Sequence, residues 1–285
     1  MTRRYLNAPA LLRAYGLQPK KSLGQNFLVD PSGLDKVMQA AGLSPEDTVL
    51  EIGAGLGSLT VLLAQTVRRV IAVEIDRGLI APLTEAVSEY DNVQIVEGDI
   101  LKIPPEELNL GEAYLVVANI PYYISSAIIR RLLETQNRPA RIVLTVQQEV
   151  AVRICAKDGK FSLLALSVQV FGVPRIQARI AAGCFYPAPD VDSAVLSITL
   201  YPQPLITTEE LDAFFMLARA GFSQKRKTLR NTLTAGLGLP AVQAESLLTA
   251  AGIDPRRRAE TLSIAEWGRL TDAWKRTQPS DFPGE

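Results

Sequence analysis

Asn119-Ile120-Pro121-Tyr122 is the stretch of this chain whose residue types are equipped for chemistry. A side-chain amide oxygen and a backbone carbonyl aimed by a proline make two hydrogen-bond acceptors in fixed relation. The exocyclic amine of adenine needs such a pair, because its lone pair is delocalised into the ring. The Asn119 side chain can accept one N6 hydrogen and the Ile120 carbonyl the other. Together they draw the nitrogen toward tetrahedral geometry and localise the lone pair for attack on an electrophile. Tyr122 can then stack on a base that has left its own stack. Taken alone, the four residues serve equally well as a strand-ending turn in which asparagine caps, proline stiffens and tyrosine packs.

The chain contains no histidine. That absence removes the Ser-His-Asp and Cys-His nucleophile systems and most zinc and non-haem iron sites, so no metal is expected. An amine activated by position needs no imidazole, since after transfer the nitrogen is cationic and gives its proton to water. Cys155 and Cys184, the only cysteines, are too few for a disulfide framework and read as small, half-buried residues.

Other polar groups fall where a ligand would meet them. Gly53-Ala54-Gly55-Leu56-Gly57 lies between a strand pattern and a helix pattern, where glycine lets the backbone approach a ligand. Such a turn is common to many nucleotide folds. Glu74 ends the next strand and suits a pair of ribose hydroxyls; Asp99 follows the third strand and suits an adenine amino group; Asn119 ends the fourth. A GxGxG turn without a third-glycine spacing or a phosphate-binding lysine favours S-adenosylmethionine over a dinucleotide or a nucleoside triphosphate. Farther on, Phe185-Tyr186-Pro187-Ala188-Pro189-Asp190-Val191-Asp192-Ser193 is a stiff aromatic and proline-rich loop, and Phe185 is the expected opposite wall of a base sandwich.

The elements that must position these residues follow from periodicity. Buried strands are expected at residues 48–53, Val70–Glu74, Val93–Val96, Tyr114–Ala118 and Arg141–Val146, with helices between them, including one from Arg77 to Glu89. Continuous apolar strands alternating with helices predict an α/β fold, a largely parallel sheet covered on both faces. Two further strands are expected, within Ser167–Val173 and at Ala194–Leu200. After Pro202 and Pro204 the pattern turns helical, over Glu209–Ala220, Lys225–Ala235, Ala241–Ala251 and Ile264–Arg276. A boundary near Gln203 therefore separates residues 1–203 from a small helical domain, 204–285, whose tail from Gln278 reads as frayed.

Formal net charge is zero, yet the charge is segregated. Residues 44–112 are strongly acidic, whereas residues 1–43, 120–185 and 219–230 are basic, the last holding Arg219, Lys225, Arg226, Lys227 and Arg230 with no acid. A neutral protein divided this way can present a basic face to RNA. No apolar run is long enough to span a bilayer, and the N-terminus lacks the apolar stretch of a secretory signal, so a cytoplasmic protein without a membrane is expected.

From about Lys20 to Leu270 the chain resembles the ribosomal RNA adenine N6,N6-dimethyltransferase family, in its bacterial small-subunit (kasugamycin-sensitivity) branch. The resemblance rests on Gly24-Gln25-Asn26-Phe27-Leu28, the glycine turn, Asn119–Tyr122, Phe185, Phe222–Asn231 and Arg258–Ser263. It implies a Rossmann-like, S-adenosylmethionine-dependent methyltransferase sheet of seven mostly parallel strands, followed by a helical RNA-binding domain. It also implies that Gln25, Asn26, Leu28, Gly53, Gly55, Glu74, Asp99 and Asn119 hold the methyl donor, with residues 24–28 closing over it. Asn119, Ile120, Pro121, Tyr122 and Phe185 are then the catalytic group, and Lys225, Arg226, Lys227 and Arg230 grip phosphates, with Arg256, Arg257 and Arg258 as lesser candidates.

The implied reaction dimethylates N6 of two adjacent adenosines in a 3′-terminal hairpin loop of 16S rRNA, within an assembling small ribosomal subunit and by a monomer. Lys157–Leu164 departs from the family pattern. Competing readings are a 23S rRNA adenine methyltransferase of the macrolide-resistance type, a non-catalytic ribosome-assembly or RNA-binding factor, and a small-molecule methyltransferase.

Overall fold

The computed structural model describes residues 5–157 and 159–277. Arg3, Arg4, Asp158 and the tail from Gln278 lie outside them. The chain forms two compact units, Met1–Val152 with Val173–Leu200, and Arg153–Gly172 with Tyr201–Glu285.

In the first unit α1 (Ala8–Ala14) precedes a short strand, β1 (Phe27–Leu28), and α2 (Pro31–Ala41). Then come β2 (Thr48–Ile52), α3 (Ser58–Ala64), β3 (Arg69–Glu74), α4 (Arg77–Ala86) and β4 (Val93–Glu97). They are followed by β5 (Leu115–Asn119), α5 (Ser125–Glu134), β6 (Arg141–Gln147) and α6 (Gln148–Ile154). After α7 (Leu163–Gln169), which belongs to the second unit, come β7 (Gly172–Ile180), β8 (Phe185–Tyr186) and β9 (Ser193–Leu200).

The expected seven-stranded sheet is present, in the order β4-β3-β2-β5-β6-β9-β7. The β4-β3, β3-β2, β2-β5 and β5-β6 pairs are parallel, and β9 runs antiparallel to β6. β2 is buried along its whole length, so its sequence does not alternate between apolar and polar faces, and Thr48 and Glu51 are buried with it. Strand order reverses between β2 and β5. There the paired register covers only Val49↔Leu115 and Leu50↔Val116, while β2–β3 and β5–β6 stay paired to Ile52 and Asn119. Beyond Leu50 the two central strands part, and a crevice opens at their carboxyl ends, the place where α/β sheets bind ligands. β1 and β8 form a separate antiparallel ladder, Phe27↔Tyr186 and Leu28↔Phe185.

Two expectations need correction. Ser167–Val173 is not a strand: Ser162 caps α7 through the N–H of Ala165, and the strand begins only at Gly172. The apolar run Leu163–Val170 is too short for periodicity to separate a buried helix from a strand. The chain also divides at more places than the one expected near Gln203. Residues 153–172 pack with the C-terminal helices, where Phe171 stacks on Phe215 at 6.4 Å and the N–H groups of Tyr201 and Leu205 donate to Phe171 and Val170.

The second unit contains α8 (Leu211–Gly221), α9 (Leu229–Leu237), α10 (Ala241–Ala250) and α11 (Ile264–Thr277) around Phe214, Leu217, Leu233, Leu248, Trp267 and Leu270. α9 starts later than expected, at Leu229, so Lys225–Lys227 occupy a turn. α8 packs on α9 and α11 through glycines: a Cβ on Gly236 of α9 would lie 2.7 Å from the Cβ of Ala220, and one on Gly221 would lie 2.5 Å from the Trp267 ring of α11. Gly236→Ala should therefore destabilise this unit by about 1–3 kcal/mol through overpacking, despite the roughly 1 kcal/mol that alanine gains in helix propensity. Urea unfolding of the variant checks this; a stabilised variant would show that the helices part freely.

Candidate active site

The glycine turn after β2 is built on backbone that only glycine adopts readily. Gly53, Gly55 and Gly57 have φ of 73°, 61° and 87°. The Gly53 N–H donates to the Val73 carbonyl at 2.8 Å, which pins the turn to β3. A Cβ on Gly55 would sit 3.1 Å from the Phe27 ring, so the turn also receives the N-terminal segment.

Glu74 ends β3 and is buried, with both oxygens engaged: Gly55 N–H donates to Oε2 at 2.7 Å and Asp76 N–H to Oε1 at 2.8 Å. Burial raises its pKa, and the two N–H groups act against that rise. Each oxygen retains acceptor capacity for a hydroxyl. Asp76 caps α4 through the Gly78 N–H and holds Lys20 Nζ at 2.6 Å and Gln25 Nε2 at 2.7 Å. These contacts fasten residues 20–25 across the turn. Asn119 Nδ2 donates to the Asn26 carbonyl at 3.0 Å. That bond orients the amide and leaves Oδ1 as its acceptor end.

A crevice is lined by Gln25, Asn26, Phe27, Gly53, Gly55, Glu74, Ile75 and all of Asn119–Tyr122, among others. A second hollow shares Gly53, Gly55 and Asn119 and adds Leu28, Glu51 and Ser58. The structure thus brings the expected residues Gln25, Asn26, Gly53, Gly55, Glu74, Asn119, Ile120, Pro121 and Tyr122 to one crevice, and Leu28 to the hollow beside it. Three expectations are placed differently. Both polar ends of Gln25 are spent, Nε2 on Asp76 and Oε1 on the Lys20 N–H, so it acts as a latch. Asp99 lies outside both linings and caps its own turn at the Leu101 N–H, 3.0 Å away. Phe185, 4% exposed, packs in the core with Leu28 and is not a crevice wall. Strand alternation turns it inward, a detail that no residue type announces.

Tyr122 is half-buried, with its hydroxyl 2.6 Å from the Ser193 Oγ and its pKa raised by burial. The exposed aromatic at the tetrapeptide is Tyr123. In the second unit Lys225, Arg226 and Lys227 are exposed, whereas Arg230 pairs with Glu245 at 3.3 Å. Arg256 and Arg257 are paired to Asp254 and Glu266, and Arg258 lies 3.9 Å from Glu260.

Sequence reasoning missed Glu51, Ile75 and Ser193. Glu51 carries a readable signal, a lone charge inside an apolar strand. It is 1% exposed, and its Oε2 has no hydrogen-bond partner among the described residues. Ile75 is 50% exposed on the crevice lining, an apolar wall beside Glu74. Ser193, fully buried at the start of β9, carried no local signal.

Residues 16–275 match the family model described as ribosomal RNA adenine dimethylase. This chain belongs to that family. It is 48% identical over 267 residues to the ribosomal RNA small subunit methyltransferase A of Dehalococcoides mccartyi strain CBDB1, covering 92% of this chain and 91% of that one. The protein of the same name from Moorella thermoacetica is 44% identical, over 92% and 94%. Among solved structures, a dimethyladenosine transferase from Plasmodium falciparum superposes with a TM-score of 0.75 at 27% identity, covering 87% and 96% of the two chains. The 23S rRNA methyltransferase ErmE gives 0.70 at 27%, covering 88% and 100%. The dimethylase fold therefore spans nearly the whole chain.

Burial pushes the Glu51 carboxyl up to about 8 against the opposing Thr60 hydroxyl, and the Glu74 charge adds to the rise. Between the unfolded value of about 4.3 and this folded one, the unfolded chain loses a proton that the folded chain keeps. Stability contributed at Glu51 therefore falls as pH rises through that window and levels off above it. Glu51→Gln should gain on the parent steadily from pH 5 to 8, as denaturation curves across pH will show. Parallel curves would mean that Glu51 is ionised in the folded protein.

Proposed function

We propose that this chain transfers methyl groups from S-adenosylmethionine to N6 of adenosines in small-subunit ribosomal RNA. The observation that carries the mechanism is the Asn119 amide, whose nitrogen is tied to the Asn26 carbonyl so that its oxygen is the acceptor presented to an amine. The residues suit the donor: a glycine turn that a Cβ would crowd, a buried Glu74 with acceptor capacity left, and a buried Glu51 oxygen without a partner.

When bound, S-adenosylmethionine supplies an electrophilic methyl on a sulfonium. Glu74 would accept from its ribose hydroxyls, Ile75 would give its adenine an apolar wall, and the buried Glu51 carboxyl would be drawn toward its ionised form by positive charge on the donor. The Asn119 oxygen and the Ile120 carbonyl accept the two N6 hydrogens of the target base, which localises the nitrogen lone pair. Tyr122, its hydroxyl held by Ser193, offers its ring to the extruded base. Methyl transfer would form the N–C bond as the donor's S–C bond breaks, leaving a neutral thioether, and the cationic nitrogen would give a proton to water.

The relatives named for the small subunit, at up to 48% identity, support that target over the large-subunit alternative, whose solved example shares 27%. The finer reading is dimethylation of two adjacent adenosines in a 3′-terminal hairpin of 16S rRNA, by a cytoplasmic monomer acting on an assembling subunit. No helix among the described residues is long and apolar enough to cross a membrane. Lys225, Arg226 and Lys227, exposed on a turn, are the phosphate contacts of this reading. Arg230 contributes less, being paired with Glu245.

Asn119→Ala should lower kcat at least a thousandfold while raising the donor Kd by no more than about tenfold, because a single hydrogen bond to Asn26 is lost with the acceptor. Labelled methyl transfer and calorimetry on the same preparation check the two numbers, and near-normal turnover would sink the mechanism. Replacing Lys225, Arg226 and Lys227 with alanine should weaken subunit binding and lower its salt slope by about two to three, while Arg230→Ala alone changes it by less than one. Binding titrations from low to high salt decide between this turn and another surface.

A further inference from the structure

The site contains two aromatic doublets, Tyr122-Tyr123 and Phe185-Tyr186. In each, the first ring is turned in and the second out. Tyr122 is half-buried and bonded to Ser193, and Phe185 is buried in the core. Tyr123 is 65% exposed and Tyr186 41% exposed.

The outward rings flank the same short segment. Gly24 lies against the Tyr123 ring, since a Cβ there would sit 3.0 Å from its Cε1. At the other end, Tyr186 stands directly opposite Phe27 in the β1–β8 ladder. Residues directly opposed in an antiparallel pair share a face. Leu28 and Phe185 share the face that packs into the core, so Phe27 and Tyr186 share the other, and Phe27 lines the crevice. Two exposed tyrosines thus stand beside the crevice, continuous with Asn119–Tyr122 through Tyr123 and with the closing segment through Tyr186. Neither ring is needed to fill the core.

We infer that Tyr123 and Tyr186 are stacking platforms for the unpaired nucleobases on either side of the target adenosine, so that the enzyme reads a splayed, single-stranded RNA segment and not an isolated base. This inference rests on the proposed RNA-adenosine reading. A base cannot be extruded alone from a loop whose neighbours remain stacked on it, and an aromatic face compensates each displaced neighbour. Stacking on aromatics tolerates any base, so the platforms set register and affinity and not sequence.

The test uses the full chain, unmethylated small subunits, and a hairpin RNA carrying 2-aminopurine beside the target adenosine. Tyr123→Ala and Tyr186→Ala should each raise KM for subunits about tenfold, the order expected for one lost base–aromatic stack. Donor Kd and kcat should stay within twofold. Tyr123→Phe and Tyr186→Phe should restore KM, because the ring and not the hydroxyl stacks. The 2-aminopurine fluorescence should be quenched by the parent and the Phe variants and not by the Ala variants. Unchanged KM and quenching in both Ala variants would overturn the inference, as would a loss of donor affinity equal to the loss in KM, which would make the rings supports of the closing segment. Should the parent itself transfer no methyl to adenine in the subunits, the functional reading fails. Platforms that fail while the parent methylates leave that reading standing.

Discussion

Burying the Glu74 carboxylate at the end of a parallel strand carries a free-energy penalty that hydrogen bonding must offset. The two N–H groups that do so belong to different walls of the crevice: Gly55 in the turn after β2, and Asp76 at the start of α4. One carboxylate therefore fixes the distance between the turn and the helix. Asp76 then passes the constraint outward to Lys20 and Gln25, which hold the segment carrying Asn26, and the Asn26 carbonyl orients the Asn119 amide. The Asn119 amide, proposed to meet the reacting amine, is thus connected, bond by bond, to the Glu74 carboxylate proposed for the donor's ribose.

This chain of contacts needs the sheet topology beneath it. Strand order reverses between β2 and β5, and these two central strands stop pairing with each other past Leu50 and Val116, so their carboxyl ends separate. The glycine turn and the tetrapeptide come from those two ends. Phe27, packed beside Gly55 and paired through its backbone to β8, lines the crevice between them. The proposed catalysis by positioning fits this arrangement: acceptors held by backbone and core would need no acid–base pair, in keeping with a chain that has no histidine.

Much of this was legible in residues 48–147. Apolar strand runs, helix-period segments and glycines at Gly53, Gly55 and Gly57 are local signals, and each corresponds to an element with bounds displaced by only a few residues. Glu74 and Asn119 were readable because a polar residue ending an apolar strand has few reasons to be there. Glu51 was readable by the same logic and was passed over. The short run Leu163–Val170 was ambiguous in principle; it is a helix, capped by Ser162 and packed against α8.

By itself, then, the sequence determined the sheet, the turn and the kinds of chemistry available, because strand burial, positive φ and side-chain type act over a few residues. Tertiary structure alone decided what each polar or aromatic group does once there. Gln25 is a latch because Asp76 lies opposite it, and Arg230 is neutralised because Glu245 does. Tyr122 is held because β9 begins with Ser193, and Phe185 turns inward while Tyr186 faces out because the ladder with Phe27–Leu28 has one register and not the other. These partners are far apart in the chain, and a one-residue slip in register exchanges the buried face for the exposed one. No local pattern encodes that choice; the packed core makes it.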